Sequence, residues 1–378
     1  MKSISVLFYL DGNNEIEPEI YNSFNRIKNS LSSDVEIFIE LGREKREFIK
    51  IIRPYEFFDT KYDNWNGVKR YHIYNGKIRE YDLGTVNMAN PKELNNFISW
   101  GLELSNSRKN ILVIASHGFS ILGGITDFTL DNPYLMSIDD MCSSIGLALS
   151  ETKKSLDLLF LDMCYMNYIE ILYELNQKSN VNKVLMYDGE GDFRGIDYLN
   201  FISNLKELTS HSSVVLDKLN FENMLIVDMN RFKLKKIKSY CDGFAKDMLN
   251  KGYKNIEDVK REIGLENIYR EINKIILSKS KDAKGIEILN FHIDEIDSFN
   301  FNLSFYTNNN WIDLISNNHN FKSSNKEKFK PQKLSYSSLL GLILSLNPDI
   351  SIKEGVSILN NLIKEKGWNF SKNNTLHV

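Results

Sequence analysis

The sequence predicts an α/β fold built on a mostly parallel sheet with helices on both faces. Two observations carry that expectation. Strand-like and helix-like runs alternate through the first two thirds of the 378 residues. Several strand-like runs, such as ILVIA at 111–115 and LLFL at 158–161, are apolar throughout, which suits strands buried on both faces.

From the amino end, 3–10 (SISVLFYL) and 35–41 (VEIFIEL) are β-rich. Between them Ile16, Ile20, Phe24, Ile27 and Leu31 recur at helical spacing, which completes a βαβ unit. In VKRYHIYNGKIREYDLG, Asn75-Gly76 separates two alternating segments and predicts a tight hairpin. A helix is expected over 91–104 with Pro91 in its first turn, a strand over 110–116, and a helix over 137–149 behind a Ser N-cap. A strand over 156–161 then runs into a helix expected to start at Cys164 and reach 175, followed by a strand over 183–187. Beyond about 221 the pattern loosens into strand-like MLIVDM, a basic helix from Asn230, a helix over 256–277 and a β-like segment at 299–306. The Asn-, Ser- and Lys-rich stretch 317–333 reads as a linker into a helical pair over 335–366, broken at Asn347-Pro348.

Composition removes several classes. Apolar residues make up 42%, charged residues 26% and the formal net charge is -3, so the chain is neither disordered nor broadly basic, and nucleic acid is not an expected partner. The run RFKLKKIKSY at 231–240 reads as a solvated helix face. Cys142, Cys164 and Cys241 are too scattered for a disulfide framework or a C-x-x-C zinc site, which fits a reducing compartment. His72, His211, His292 and His319 lack metal-ligand spacing. The apolar start of MKSISVLFYLDGNN stops at Asp11 without a cleavage site, and no run approaches the ~20 residues needed to span a bilayer. The expectation is a cytoplasmic protein, or a secreted one if a signal was removed before this numbering, with no membrane partner.

Ligands of an open parallel sheet gather outside the carboxyl ends of its strands. Asp11, Gly12 and Asn13 stand there after the first strand, His117 and Gly118 after ILVIAS, Asp162 and Cys164 after LDLLFL, and Asp188, Glu190 and Asp192 after VLMY. A lone strand-end cysteine is by default a small buried hydrophobe. The His-Gly pair at the matching end of a strand one crossover away reverses that default. A thiol at a helix N-terminus has its pKa lowered, and imidazole can carry a proton in both halves of acyl transfer. Gly118 removes a side chain where a backbone N–H could face an oxyanion, with the Cys164 N–H as second donor. Cys142 and Cys241 have no such context and are expected in the core.

Strand-His-Gly (ILVIASHG) followed by strand-Asp-x-Cys (LLFLDMC) resembles the signature of the caspase-like cysteine peptidases, and the flanks resemble the clostripain family among them. Those flanks are ISVLFYLDGNNEIE, GVKRYHIYNG, NPKELNNFISWGLE, CYMNYIEILYEL, MLIVDMNRFKLKKI and NLSFYTNNNWIDLI, so the resemblance covers roughly 4–315. It implies a caspase-like three-layer sandwich, with a catalytic domain at 1–220, a mixed α/β extension at 221–316, a linker at 317–334 and a helical appendage at 335–378. It also implies a cysteine endopeptidase that cuts after Arg or Lys through His117 and Cys164. The acids agree with that preference, since a carboxylate lining a partly desolvated pocket pairs well with a cation. Asp192 is the first choice for it, then Asp162, with Asp188 beside them.

No cofactor is required by this chemistry. Calcium dependence occurs in some relatives, but acidic loops alone do not point to it. No Lys or Arg lies between 110 and 152, so self-processing there is not expected unless it falls at Lys153 or Lys154. A regulatory partner or activator is expected of a protease kept inside a cell. Two alternatives stand beside this one. In a metal-dependent nuclease, Asp11, Asp162, Asp188 and Asp192 would hold Mg²⁺ and Cys164 would be incidental. In a non-catalytic scaffold, the same fold would only bind partners.

Overall fold

The structure, a computed structural model, describes residues 3–29, 34–54, 65–192, 194–210, 215–259, 264–289, 303–316 and 329–370. Its strands are β1 (Ile4–Gly12), β2 (Val35–Arg43), β3 (Gly67–Tyr74), β4 (Lys77–Gly84), β5 (Lys109–Ala115), β6 (Gly124–Asp127), β7 (Tyr134–Met136), β8 (Leu158–Asp162), β9 (Lys183–Tyr187), β10 (Met224–Asp228), β11 (Ile276–Lys279) and β12 (Gln332–Lys333). Its helices in the first half are α1 (Glu17–Asn29), α2 (Arg46–Ile52), α3 (Pro91–Leu104), α4 (Ile138–Thr152) and α5 (Ile169–Lys178). They continue as α6 (Tyr198–Ser203), α7 (Leu205–Leu208), α8 (Arg231–Asn250), α9 (Ile256–Val259), α10 (Gly264–Ile272), α11 (Trp311–Ile315), α12 (Tyr336–Leu346) and α13 (Ile352–Lys366).

The nine-stranded sheet has the order β11-β10-β9-β8-β5-β1-β2-β3-β4. Its centre, β9-β8-β5-β1-β2, is parallel, and antiparallel pairs close both edges. Side chains alternate across the buried strands. From β1, Val6, Phe8 and Leu10 join the core under α1, α6 and α7, while Leu7 and Tyr9 join the core under α3, α4, α5 and α8. These are the three layers the sequence predicts. The register pairs Leu10 with Ala115 and Ala115 with Asp162, so β1, β5 and β8 end side by side.

Local chemistry explains the boundaries that agree with expectation. The side chains of Asn90, Ser137 and Asn230 accept hydrogen bonds from the first-turn amides of α3, α4 and α8. Asn75 and Gly76 both lie in the left-handed region, at φ 51° and 71°, as a two-residue hairpin turn requires. The basic run of α8 is largely tied down: Lys233 pairs with Asp228, Lys236 with Glu271, and Lys238 donates to the carbonyls of Ser304 and Thr307. Cys142 and Cys241 are both buried in the core.

Four expectations meet a different outcome. The helix after β8 starts at Ile169 rather than Cys164, because Tyr165 takes a left-handed turn at φ 57°. The single helix over 256–277 is replaced by α9, α10, a 3₁₀ turn and β11, which adds to the sheet beside β10. The β-like segment at 299–306 lies partly outside the described residues, and 303–306 forms no strand. Of the expected linker, 317–328 lies outside the described residues, while Gln332 and Lys333 form β12 against β7.

The C-terminal helices are less detached than an appendage would be. α12 and α13 share a third core with Phe48 of α2, Phe128 and Leu135. Trp368 closes that core with its indole N–H donating to Leu130 O at 2.9 Å, and Lys366 pairs with buried Glu44 at 2.6 Å. Among the described residues no helix is long and apolar enough to cross a membrane.

Candidate active site

His117 follows β5 and Cys164 follows β8, and because those strands are parallel neighbours both residues open into one cavity of about 70 Å³. Asp162, Tyr187, Gly191, Asp192 and Arg194 line the same cavity. The turn at Tyr165 is held by its N–H on Gly189 O at 2.6 Å, and the Gly191 N–H lies 3.4 Å from Cys164 Sγ. The loop after β9 is therefore drawn over Cys164.

That arrangement changes the expected activation of the thiol. With α5 starting five positions after Cys164, its first-turn amides are not beside the sulfur. Burial pushes the Cys164 thiol up, the Gly191 N–H opposes this, and the charges of Glu190 and Asp162 add to it. The net shift favours the thiol over the thiolate.

The imidazole of His117 lines the same cavity. Its Nε2 lies 2.5 Å from Glu15 Oε1, on the loop after β1. Burial by itself lowers the affinity of the ring for a proton, but the charge and hydrogen bond of Glu15 outweigh it and the pKa rises above the ordinary histidine value. Arg53, at the end of α2, donates to Glu15 O at 2.8 Å and grips the Glu19 carboxylate with both terminal nitrogens, which pins the loop. Asp11 ties the strand ends together, accepting from Ser116 Oγ at 2.6 Å and Thr126 N at 3.1 Å. Burial pushes its carboxyl up to about 8 despite the Ser116 hydrogen bond.

Gly118 is a steric requirement. A Cβ there would stand 2.1 Å from Cys164 O and 3.0 Å from Cys164 N. Among the described residues neither the Gly118 nor the Cys164 N–H has a hydrogen-bond acceptor, so two neighbouring donors remain available.

The candidate acids separate by position. Asp162 sits buried in the cavity and accepts from the Tyr198 hydroxyl; burial pushes it up to about 6 against that hydrogen bond. Asp192 is half exposed, and its carboxylate accepts from Arg194 N at 2.8 Å and faces Arg194 Nε at 3.4 Å. Asp188, expected beside substrate, does not line the cavity as the structure has it. It accepts from Asn167 Nδ2 at 2.9 Å, Gly285 N at 3.3 Å and Lys284 N, clasping the chain after β11 to the loop that follows Cys164. Among the described residues no group of three or more His, Cys, Asp or Glu side chains could hold a metal ion. The convergence of Asp11, Asp162, Asp188 and Asp192 that a nuclease needs is not built.

A model of the clostripain family matches residues 8–343. The chain belongs to the clostripain family. It is a cysteine peptidase with a caspase-like α/β sandwich, and the match runs through the expected linker into α12. Solved structures similar in fold include a secreted C11 cysteine protease from Bacteroides thetaiotaomicron, "iotapain", at 13% identity and a TM-score of 0.50 over 77% of this chain and 91% of that one. An inactive zymogen C11 protease from Parabacteroides distasonis matches at 14% identity and 0.51, over 73% of this chain and 83% of that one. No curated protein matches the chain. The expected cytoplasmic location gains no support from these neighbours, one of which is described as secreted.

Sequence reasoning missed several residues of this clostripain-family site: Glu15, Arg53, Tyr187 and Tyr198. No spacing rule links Glu15 to a histidine 102 positions away. The available signal was its place in the loop after the first strand, whose carboxyl end lies beside that of β5. Lys153 and Lys154 precede β8, at the opposite end of a 5-residue strand from Cys164. A strand of that length spans roughly 15 Å, so cleavage at either lysine would be intermolecular and second order in enzyme.

Proposed function

We propose that this peptidase is an endopeptidase that cleaves after Arg or Lys through a Cys164–His117 dyad and a thioester intermediate. The observation that carries this reading is the single cavity holding Cys164, His117 and the buried Asp162 carboxylate. In acylation His117 takes the thiol proton as sulfur attacks the scissile carbonyl, and the N–H groups of Gly118 and Cys164 receive the oxyanion. The imidazolium then protonates the leaving amine. Water activated by the same ring releases the acid and restores the thiol. Thiol, imidazole and backbone amides supply the whole sequence without a cofactor.

Asp162 gives the S1 pocket a buried charge and Asp192 a second one at its mouth. A cavity of about 70 Å³ is far below the ~300 Å³ at which ligand pockets begin. The loop carrying Gly191, Asp192 and Arg194 must therefore shift to admit a basic side chain, and Arg194 competes with that side chain for Asp192. Arg194→Ala is expected to lower KM for P1-Arg and P1-Lys peptides by at most about fivefold, as fits an exposed ion pair. A rise in KM would show that Arg194 assists binding instead. A regulatory partner that holds this loop open fits the same closed pocket.

The decisive experiment is a scan of P1 in fluorogenic peptides. Arg and Lys should exceed every neutral residue by about 100-fold or more in kcat/KM, because a pocket built around a buried charge leaves that charge unpaired with a neutral side chain. Equal rates for P1-Leu or P1-Asp peptides would reject the basic specificity.

A further inference from the structure

We propose that Glu15 is the positioning residue of this site, holding His117 by Nε2 so that Nδ1 is the nitrogen that exchanges protons with Cys164 and the leaving amine. The proposal rests on the peptidase reading for its kinetic consequences. Its structural part stands on geometry alone. Glu15 is fully buried, Oε1 lies 2.5 Å from Nε2, and Oε2 is buried with no hydrogen-bond partner among the described residues. The side chain thus directs its hydrogen bonding to the ring. Its backbone is fixed independently by Arg53 on the Glu15 carbonyl, so the carboxylate does not depend on His117 for its place.

A carboxylate acceptor at Nε2 selects the tautomer with its proton on that nitrogen, which leaves the Nδ1 lone pair toward the cavity. In acylation the thiol proton moves to Nδ1 while Nε2–H stays on Glu15, and the imidazolium formed has the buried carboxylate as counter-charge. The Nδ1 proton then leaves on the amine, and the ring returns to its starting tautomer. Other charged groups facing the ring come from separate elements: Asp11 at the end of β1 adds to the effect of Glu15, and Arg53 after α2 opposes it. Glu15 holds the ring by its hydrogen bond to Nε2, and Phe119 packs beside the ring with the centroids 5.8 Å apart.

Four measurements test this. In wild type, ¹⁵N spectra of histidine-labelled protein, assigned with His117→Gln, should show the neutral His117 ring protonated at Nε2; a ring protonated at Nδ1 would overturn the proposal without any variant having to fold. In Glu15→Gln, the His117 pKa should fall and alkylation of Cys164 by iodoacetamide at neutral pH should slow by about tenfold or more. Turnover of the best peptide should fall by about 100-fold with KM within twofold, whereas Glu15→Asp, which keeps the charge, should recover part of the rate. An unchanged His117 pKa and alkylation rate in Glu15→Gln would also overturn it. Tautomer and alkylation need no substrate, so they judge Glu15 even if basic-P1 peptides prove to be poor substrates.

Discussion

Exchange of Cys164 for Ala is expected to reduce peptide hydrolysis by roughly 10⁵-fold or more, and His117→Ala by a similar factor, with the double variant no worse than either alone. The non-additivity follows from the thiol's resting state. Burial pushes the Cys164 thiol up, so sulfur without a base is expected to be a poor nucleophile and the base without sulfur to have nothing to activate. The two exchanges differ in stability. Cys164→Ala removes a half-buried thiol and should melt near the parent, whereas His117→Ala strands the buried Glu15 carboxylate and should melt lower. Initial rates on a fluorogenic peptide and thermal melts of all four proteins check this. Losses that multiply in the double variant would show that the two residues act separately.

Asp162→Asn is expected to cost P1-Arg and P1-Lys peptides about 100-fold or more in kcat/KM while leaving alkylation of Cys164 by iodoacetamide within a fewfold. Its pH dependence gives a second handle. Only the carboxylate pairs with a basic P1, and burial pushes Asp162 up to about 6, so pairing is lost as pH falls through 6. His117 must also be neutral to accept the thiol proton, and its pKa is raised above the ordinary value. The acid limb of kcat/KM for a P1-Arg peptide should therefore steepen toward a two-proton slope below about pH 6, and Asp162→Asn should restore a one-proton slope. The stability sign runs the other way from a salt-bridged carboxylate. A native pKa above the unfolded value means the folded state binds more protons between about pH 4 and 6, so Asp162 costs stability as pH rises through that window. Asp162→Asn should gain in melting temperature relative to wild type on going from pH 4 to pH 7; a relative loss would place Asp162 in a stabilising role instead.

Much of this molecule was legible before any coordinates, and the reasons are local. All-apolar strands, the Asn90, Ser137 and Asn230 caps, and the Asn75-Gly76 turn are decided by neighbouring residues, so the sequence by itself determined a mostly parallel α/β sheet with His117, Cys164, Asp162 and Asp192 at its carboxyl end. What could not be read depends on distant contact. The start of α5 is delayed because Tyr165 binds Gly189, which belongs to the next strand's loop, and this removes the helix terminus from the sulfur. Asp188 looks like its acidic neighbours until Asn167 takes one of its oxygens and the chain after β11 returns to take the other. Glu15 meets His117 only because β1 and β5 lie side by side. Periodicity and capping are short-range and written in the order of residues. The pKa shifts of His117 and Cys164 come from burial and from charges on other elements, and only the assembled sheet decides them.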